Sequence, residues 1–172
     1  NLGMPPYISK FFPYYKNNLQ PKQNDLLTWA LIISLIGFAL VTVAGIYFKD
    51  LITLKFGKNS PQFVTYYVWI FPLGLGLTIF SVLESYAWQL HRSVFTIFLR
   101  EIQFRLFATF LILLVFAGVL KQFEIFIKRY SFSYLAIAIC LMLYLINKQE
   151  FHLTITLSRV TKKFYKKILT LV

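Results

Sequence analysis

The stretch that decides the fold runs from Tyr66 to Arg105 and reads YYVWIFPLGLGLTIFSVLESYAWQLHRSVFTIFLREIQFR. Its first part is an uncharged apolar run that Pro72, Gly74 and Gly76 interrupt, and one acid, Glu84, follows. A short amphipathic connector comes next, and its charged residues are Arg92, Arg100, Glu101 and Arg105. Proline removes a backbone hydrogen bond from a helix, so the pattern predicts a bent apolar helix before a charged connector.

The composition around this stretch is that of a membrane protein. Hydrophobic residues make up 58% of the chain and charged residues only 14%, whereas soluble domains carry about 25% charged residues. A lipid bilayer is the natural solvent for so much apolar surface, and helices satisfy their own backbone there. The composition therefore predicts an all-α, polytopic membrane helix bundle.

Four apolar runs predict transmembrane helices at about 26–48, 63–88, 104–127 and 130–147. Residues 26–48 are uncharged for 23 residues, and about 20 are needed to cross the hydrocarbon. The third run has only 15 uncharged residues, from Leu106 to Leu120, which is roughly 22 Å of helix. We therefore expect the third helix to begin before Arg105 and to end after Lys121.

The two flanks of these runs are more polar. Residues 1–25 contain four prolines, and aromatic and lysine side chains accompany them, which predicts a cytoplasmic or interfacial loop rather than a spanning helix. Residues 149–172 carry cations at spacings of three and four opposite an apolar face. This pattern predicts a basic amphipathic linker helix on an anionic membrane surface.

The distribution of cations predicts the orientation. The net charge is +12, from 18 Lys and Arg against 6 Asp and Glu. With four spans, 12 cations lie on the side of residues 1–25 and 149–172, and 6 lie on the other side. The positive-inside rule then places both flanks and the Arg92–Arg105 connector in the cytoplasm. The bases lie between apolar runs, so they favour anionic lipids as partners, and we expect no nucleic acid.

Motifs of catalytic and cofactor sites are missing from the sequence. It has no Walker loop, GxGxxG, HExxH, CxxC or GxSxG pattern. His91 and His152 are far apart in sequence, and Cys140 is the only cysteine. We therefore expect no enzyme, no metal and no cofactor, and charges among movable helices favour a transporter.

Two segments resemble a known family. GMPPYISKFFPYYKN, from Gly3 to Asn17, and the stretch from Tyr66 to Arg105 with its LExxxW and FLRE patterns are similar to polysaccharide (O-antigen type) flippases. These belong to the multidrug/oligosaccharidyl-lipid/polysaccharide exporter superfamily. The resemblance implies an interior fragment of a transporter with twelve to fourteen helices in two bundles. The chain would contribute four helices of the first bundle and the linker after them.

The resemblance also implies a function. The transporter would move an undecaprenyl-pyrophosphate-linked oligosaccharide from the inner to the outer leaflet of the cell inner membrane, for surface polysaccharide such as the O-antigen of lipopolysaccharide. Other polysaccharide-assembly proteins would be its partners. A pyrophosphate needs fixed cations, and arginine contacts phosphate in a bidentate manner.

By that logic the candidate substrate or gate residues are Arg92, Arg100 and Arg105, with Glu84 and Glu101 as their partners. Pro72, Gly74 and Gly76 are the candidate hinge. A simpler interpretation stays open for each: the arginines can be ordinary positive-inside residues, with a helical ion pair between Glu101 and Arg105, which are four residues apart. The proline and glycines can form a static kink.

Two other functions also remain open. A drug/cation antiporter of the same superfamily would carry acids deep in its spans, and only Glu84 comes near that position. A membrane-embedded enzyme of polysaccharide assembly, such as a polymerase or an acyltransferase, would need a cluster of acids or histidines.

Overall fold

The computed structural model describes residues 1–57, 60–118 and 123–163, which fold as helices joined by short connections. The helices are α1 (Met4–Asn18), α2 (Leu26–Tyr47), α3 (Lys49–Phe56), α4 (Pro61–Tyr66), α5 (Ile70–Gln89), α6 (Ser93–Ile97), α7 (Phe104–Phe116), α8 (Phe123–Ser131) and α9 (Ser133–Asn147). A π-helical segment, Phe98–Gln103, joins α6 to α7, and a 3-10 turn, Tyr67–Trp69, precedes α5. No strand occurs in the described ranges, which confirms the predicted all-α class.

Three helical stretches are long and apolar enough to cross a membrane: Pro21–Tyr47, Pro61–Gln89 and Phe123–Asn147. The first two contain the predicted spans 26–48 and 63–88 almost completely. The third begins at Phe123, earlier than the predicted start at residue 130, because α8 runs into α9 with only Phe132 between them. These three helices indicate a membrane protein.

The predicted span 104–127 is not one continuous helix. Helical structure runs from Ser93 through the π-helical segment to Phe116, so it does begin before Arg105. It stops well before Lys121, because Gly118 adopts φ 72, a left-handed conformation that terminates helices. Helical structure resumes at Phe123, and residues 119–122 lie outside the described residues. A fourth span therefore stays a prediction.

Residues 1–25 were expected to form a proline-broken loop, and the structure instead contains α1. Pro5 and Pro6 lie in its first turn, where the missing N–H groups have no partner within a helix anyway. Its buried side chains recur at spacings of three and four: Met4, Tyr7, Ile8, Phe11, Phe12 and Tyr15. Burial of this face stabilises a helix despite Pro13 in its interior.

Residues 149–172 were expected to form one helix, which is wrong for the first part. Residues 149–158 are not helical, and helical structure begins at residue 159. The backbone N–H groups of Thr154 and Ser158 donate to the side chains of Thr28 and Asp25. These tertiary hydrogen bonds replace the helical ones. Residues 164–172 of the predicted linker helix lie outside the described residues.

Helix α5 is central and contacts α1, α2, α8 and α9. Helices α5 and α9 approach closely at Gly76, where an added Cβ would lie 2.6 Å from the carbonyl carbon of Tyr134 in α9. Small residues allow such close packing between membrane helices. The core around α5 includes Phe80, Leu83 and Ala87, together with the buried face of α1.

The bundle has two distinct ends. At the polar end, α2 begins and α5 and α9 end, so residues 19–28, 86–93 and 147–163 meet there through hydrogen bonds. At the aromatic end, residues 45–57 and 60–71 meet residues 123–132, mainly through ring contacts such as Tyr66 with Phe123 and Trp69 with Phe132.

Candidate functional site

Glu84 and Arg100 form an ion pair between two helices. Glu84 lies on α5, five residues before its last residue, and Arg100 lies on the π-helical segment. The Nη1 of Arg100 donates to the Oε1 of Glu84 over 3.1 Å. The Glu84 side chain is only 12% exposed, whereas that of Arg100 is 40% exposed. The pair therefore joins α5 to the helix that starts at Ser93, at the border between the core and the surface.

Two more predicted residues extend this pair. The Nε of Arg100 lies 3.4 Å from the Oε1 of Glu101, and the Nη2 of Arg105 lies 3.0 Å from its Oε2. Four of the five predicted site residues thus form one ion-pair chain, Glu84–Arg100–Glu101–Arg105. Its outer residue, Arg105, is 77% exposed. The ion pair expected between Glu101 and Arg105 is present.

The π-helical segment determines the geometry of this ion-pair chain. Residues 98–103 follow the wider turn of a π-helix, and such insertions in α-helices are often found at functional sites. The segment buries Leu99, and the Nε2 of Gln103 donates to the Sγ of Cys140 over 3.7 Å. The sequence contains no motif for this geometry, and the expected helix was a regular one.

Arg92 is not part of this ion-pair chain and pairs with Glu150 instead. The Nη2 of Arg92 donates to the Oε1 of Glu150 over 3.1 Å, and this hydrogen bond and the carboxylate charge raise the pKa of Arg92 above its ordinary value. The hydroxyl of Tyr86 donates to the backbone oxygen of Glu150. Glu150 was not among the predicted residues, because it lies 58 positions from Arg92.

Both residues of this pair follow the same kind of helix end. His91 and Gln149 have φ values of 59 and 55. The N–H of Arg92 donates to the oxygen of Ala87, and the N–H of Glu150 donates to the oxygen of Leu145. These are the six-to-one hydrogen bonds of a Schellman motif. Helices α5 and α9 therefore end alike, and the third residue after each helix, Arg92 or Glu150, contributes to the ion pair.

A second polar cluster lies around Asp25, which is fully buried. Its Oδ2 accepts hydrogen bonds of 2.8 Å from the N–H of Ser158 and from the hydroxyl of Thr161. The hydroxyl of Tyr15 lies 2.8 Å from the Oγ1 of Thr161 and 3.2 Å from the hydroxyl of Tyr7. Burial raises the pKa of both tyrosines, so they stay neutral.

The Asp25 cluster joins three distant parts of the chain: α1, the start of α2 and residues 158–161. Asp25 was not among the predicted site residues. Buried carboxylates need such partners because burial of an unpaired charge is costly. A signal was nonetheless present, since Asp25 is the one acid among the first 49 residues.

The three predicted hinge residues have different surroundings. Pro72 is the third residue of α5, and the irregular part of the helix is the preceding 3-10 turn, Tyr67–Trp69. The irregular turn lies where a proline ring disturbs a helix, which is the turn before the proline. Gly74 and Gly76 lie within regular helix and contact Phe38 and α9. The hinge stays a prediction, and packing accounts for Gly76.

Within the described residues, no group of three or more His, Cys, Asp or Glu side chains could hold a metal ion. Comparisons with known proteins give no relative: no protein-family model, curated protein or solved structure matches the chain. The function therefore has to be inferred from the residues themselves.

Proposed function

We propose that this chain is part of a membrane transporter that moves a lipid-linked oligosaccharide between the leaflets. The observation that carries the proposal is the Glu84–Arg100 ion pair between α5 and the π-helical segment. Charges inside membrane helix bundles are costly and usually belong to substrate pathways, relays or paired gates. Three apolar helices long enough to cross a membrane provide the setting.

The chemistry of the pair suits an anionic substrate. Arg100 is held by two carboxylates, those of Glu84 and Glu101. A pyrophosphate presents oxygens with similar charge and spacing, and arginine binds carboxylate and phosphate in the same bidentate way. We infer that Arg100 exchanges its carboxylate partners for the pyrophosphate when the substrate enters. The exchange would release α5 from the π-helical segment and open an inner gate.

The distribution of charge suits entry from the cytoplasmic leaflet. Glu84 lies about 7 Å along the helix axis from the last residue of α5, so the pair is close to the polar end. That end also carries Arg92, Lys148, Arg159 and Lys162. By the positive-inside rule we propose that it faces the cytoplasm, where a lipid-linked oligosaccharide is made before it is moved outward.

A drug/cation antiporter is a second candidate, because buried acids favour it. Glu84 is mostly buried and Asp25 is fully buried, and such carboxylates can bind protons or cations during transport. The flippase is preferred, because Arg100 pairs with Glu84 and neutralises its charge.

The test is a reconstitution of the full-length protein into phospholipid vesicles. Fluorescent undecaprenyl-pyrophosphate oligosaccharide is placed in both leaflets, and a membrane-impermeant quencher reports its movement. We expect the protein to accelerate translocation over protein-free vesicles. No acceleration, together with proton- or sodium-driven uptake of a cationic dye, would exclude the flippase in favour of the antiporter.

A further inference from the structure

A groove of about 360 Å³ lies at the polar end, between the last turn of α1 and residues 159–163. Its lining combines two cations, one amide, one phenol and two aliphatic side chains: Arg159, Lys163, Asn18, Tyr14, Leu19 and Val160. No acid lines it. The groove is therefore both cationic and partly apolar.

The two cations have no carboxylate partner within the described residues. Four acids pair with other cations: Glu84 with Arg100, Glu101 with Arg105, Glu124 with Lys128 and Glu150 with Arg92. Asp25 is buried against Ser158 and Thr161. Arg159 and Lys163 are both exposed, so their charges are available to an anion from outside.

The backbone that carries Arg159 is held by the Asp25 cluster. Asp25 accepts hydrogen bonds from Ser158 and Thr161, which flank Arg159 and Val160. Thr161 also contacts the hydroxyl of Tyr15 on α1. The Asp25 cluster thus joins the two walls of the groove.

We propose that this groove binds the phosphate group of an anionic phospholipid. Arg159 offers a planar pair of donors to phosphate oxygens, and Lys163 adds a point charge. Leu19 and Val160 offer apolar surface to the glycerol and the first methylenes of the lipid. Basic pockets at the ends of membrane helices bind lipid head groups in this way. The proposal needs only a membrane location and does not depend on transport.

The test uses the full-length protein in detergent, titrated with short-chain phosphatidylglycerol and followed by native mass spectrometry. Phosphatidylcholine and inorganic phosphate serve as comparison ligands. We expect the wild type to prefer phosphatidylglycerol. The double variant Arg159→Gln, Lys163→Gln should lose about 30-fold in affinity, because two cation–lipid contacts are removed.

A matched double variant, Lys148→Gln with Lys162→Gln, removes the same charge at the same end. Both lysines are exposed and neither lines the groove. We expect its affinity to stay within about threefold of the wild type, since these side chains make only long-range contributions. Equal losses in the two double variants, or no loss in either, would overturn the groove as a site. Inorganic phosphate that displaces the lipid at equal concentration would overturn the lipid assignment.

Discussion

At the polar end of the bundle, hydrogen bonds to Asp25 and the Arg92–Glu150 ion pair join distant parts of the chain. At the aromatic end, α4 meets α8 mainly through rings, such as Tyr66 and Phe123 with centroids 5.7 Å apart. Helices α3 and α4 bury no side chain, whereas α1 buries six. Hydrogen bonds fix distances and angles, but ring contacts tolerate sliding. We therefore expect the aromatic end to rearrange more easily.

The Glu84–Arg100 pair lies near the more firmly held end. In the proposed mechanism it is one of few polar contacts that must break there, while the Asp25 cluster stays intact. At the polar end the proposed mechanism thus separates contacts that hold the bundle together from a contact that can open it. Three stability measurements and one activity measurement test this separation.

The largest effect is expected for Asp25→Ala. The change leaves the part-buried N–H of Ser158 without its acceptor and removes one partner of the buried Thr161 hydroxyl, which should cost about 2–4 kcal/mol of unfolding free energy. Asp50→Ala is the matched control at the aromatic end, because Asp50 is exposed on α3. It should cost less than about 0.5 kcal/mol. Equilibrium unfolding in mixed micelles measures both, and similar costs would contradict the comparison.

A smaller effect is expected for Gly76→Ala. The new Cβ would collide with backbone atoms of Tyr134 and Leu135, which cannot move alone, so we expect a loss of about 2–3 kcal/mol. At Gly45, near the aromatic end, a Cβ would meet the side chains of Tyr67 and Phe71 at 2.9 and 3.1 Å. Gly45→Ala should cost about 1 kcal/mol, because rings can shift. The same unfolding assay measures both, and a larger loss at Gly45 would contradict the difference between backbone contacts and ring contacts.

The smallest effect is a gain in stability at the helix ends of the polar end. His91→Gly and Gln149→Gly replace residues with positive φ by the residue that adopts this conformation without strain. Each should stabilise the protein by about 0.5–1 kcal/mol. Lys148→Gly is the control. Lys148 has φ −83, so glycine at this position should destabilise the protein. A loss of stability at both positions would mean that their side chains matter more than the backbone.

Much of the fold follows from local patterns. The apolar runs of α2, α5 and α9 are long and contain one charged residue, Glu84 of α5, and the bilayer dictates helices for them. The prediction failed for residues 1–25, where the prolines outweighed the apolar spacing from Met4 to Tyr15. It also failed at residues 117–118, because an apolar run does not reveal that Gly118 takes a left-handed conformation.

The site was predicted only in part, because its contacts differ in range. Glu101 and Arg105 are four residues apart, so helical periodicity predicts their ion pair. Glu84 and Arg100 were chosen as rare charges beside apolar runs. Arg92–Glu150 and Asp25–Thr161 join residues 58 and 136 positions apart, and only the packing of α5 against α9 and α1 brings them together.

In the proposed mechanism Arg100, through Glu84, belongs to the gate, whereas Arg105 is peripheral. The most direct measurement compares Arg100→Gln with Arg105→Gln in cells that depend on this protein for surface polysaccharide, at equal protein levels. Each change removes one positive charge, and the two residues lie on neighbouring helical turns. We predict that Arg100→Gln lowers surface polysaccharide at least about tenfold, the loss of one charged contact, while Arg105→Gln leaves it within about twofold. Normal polysaccharide with Arg100→Gln, or equal losses in the two variants, would contradict the account.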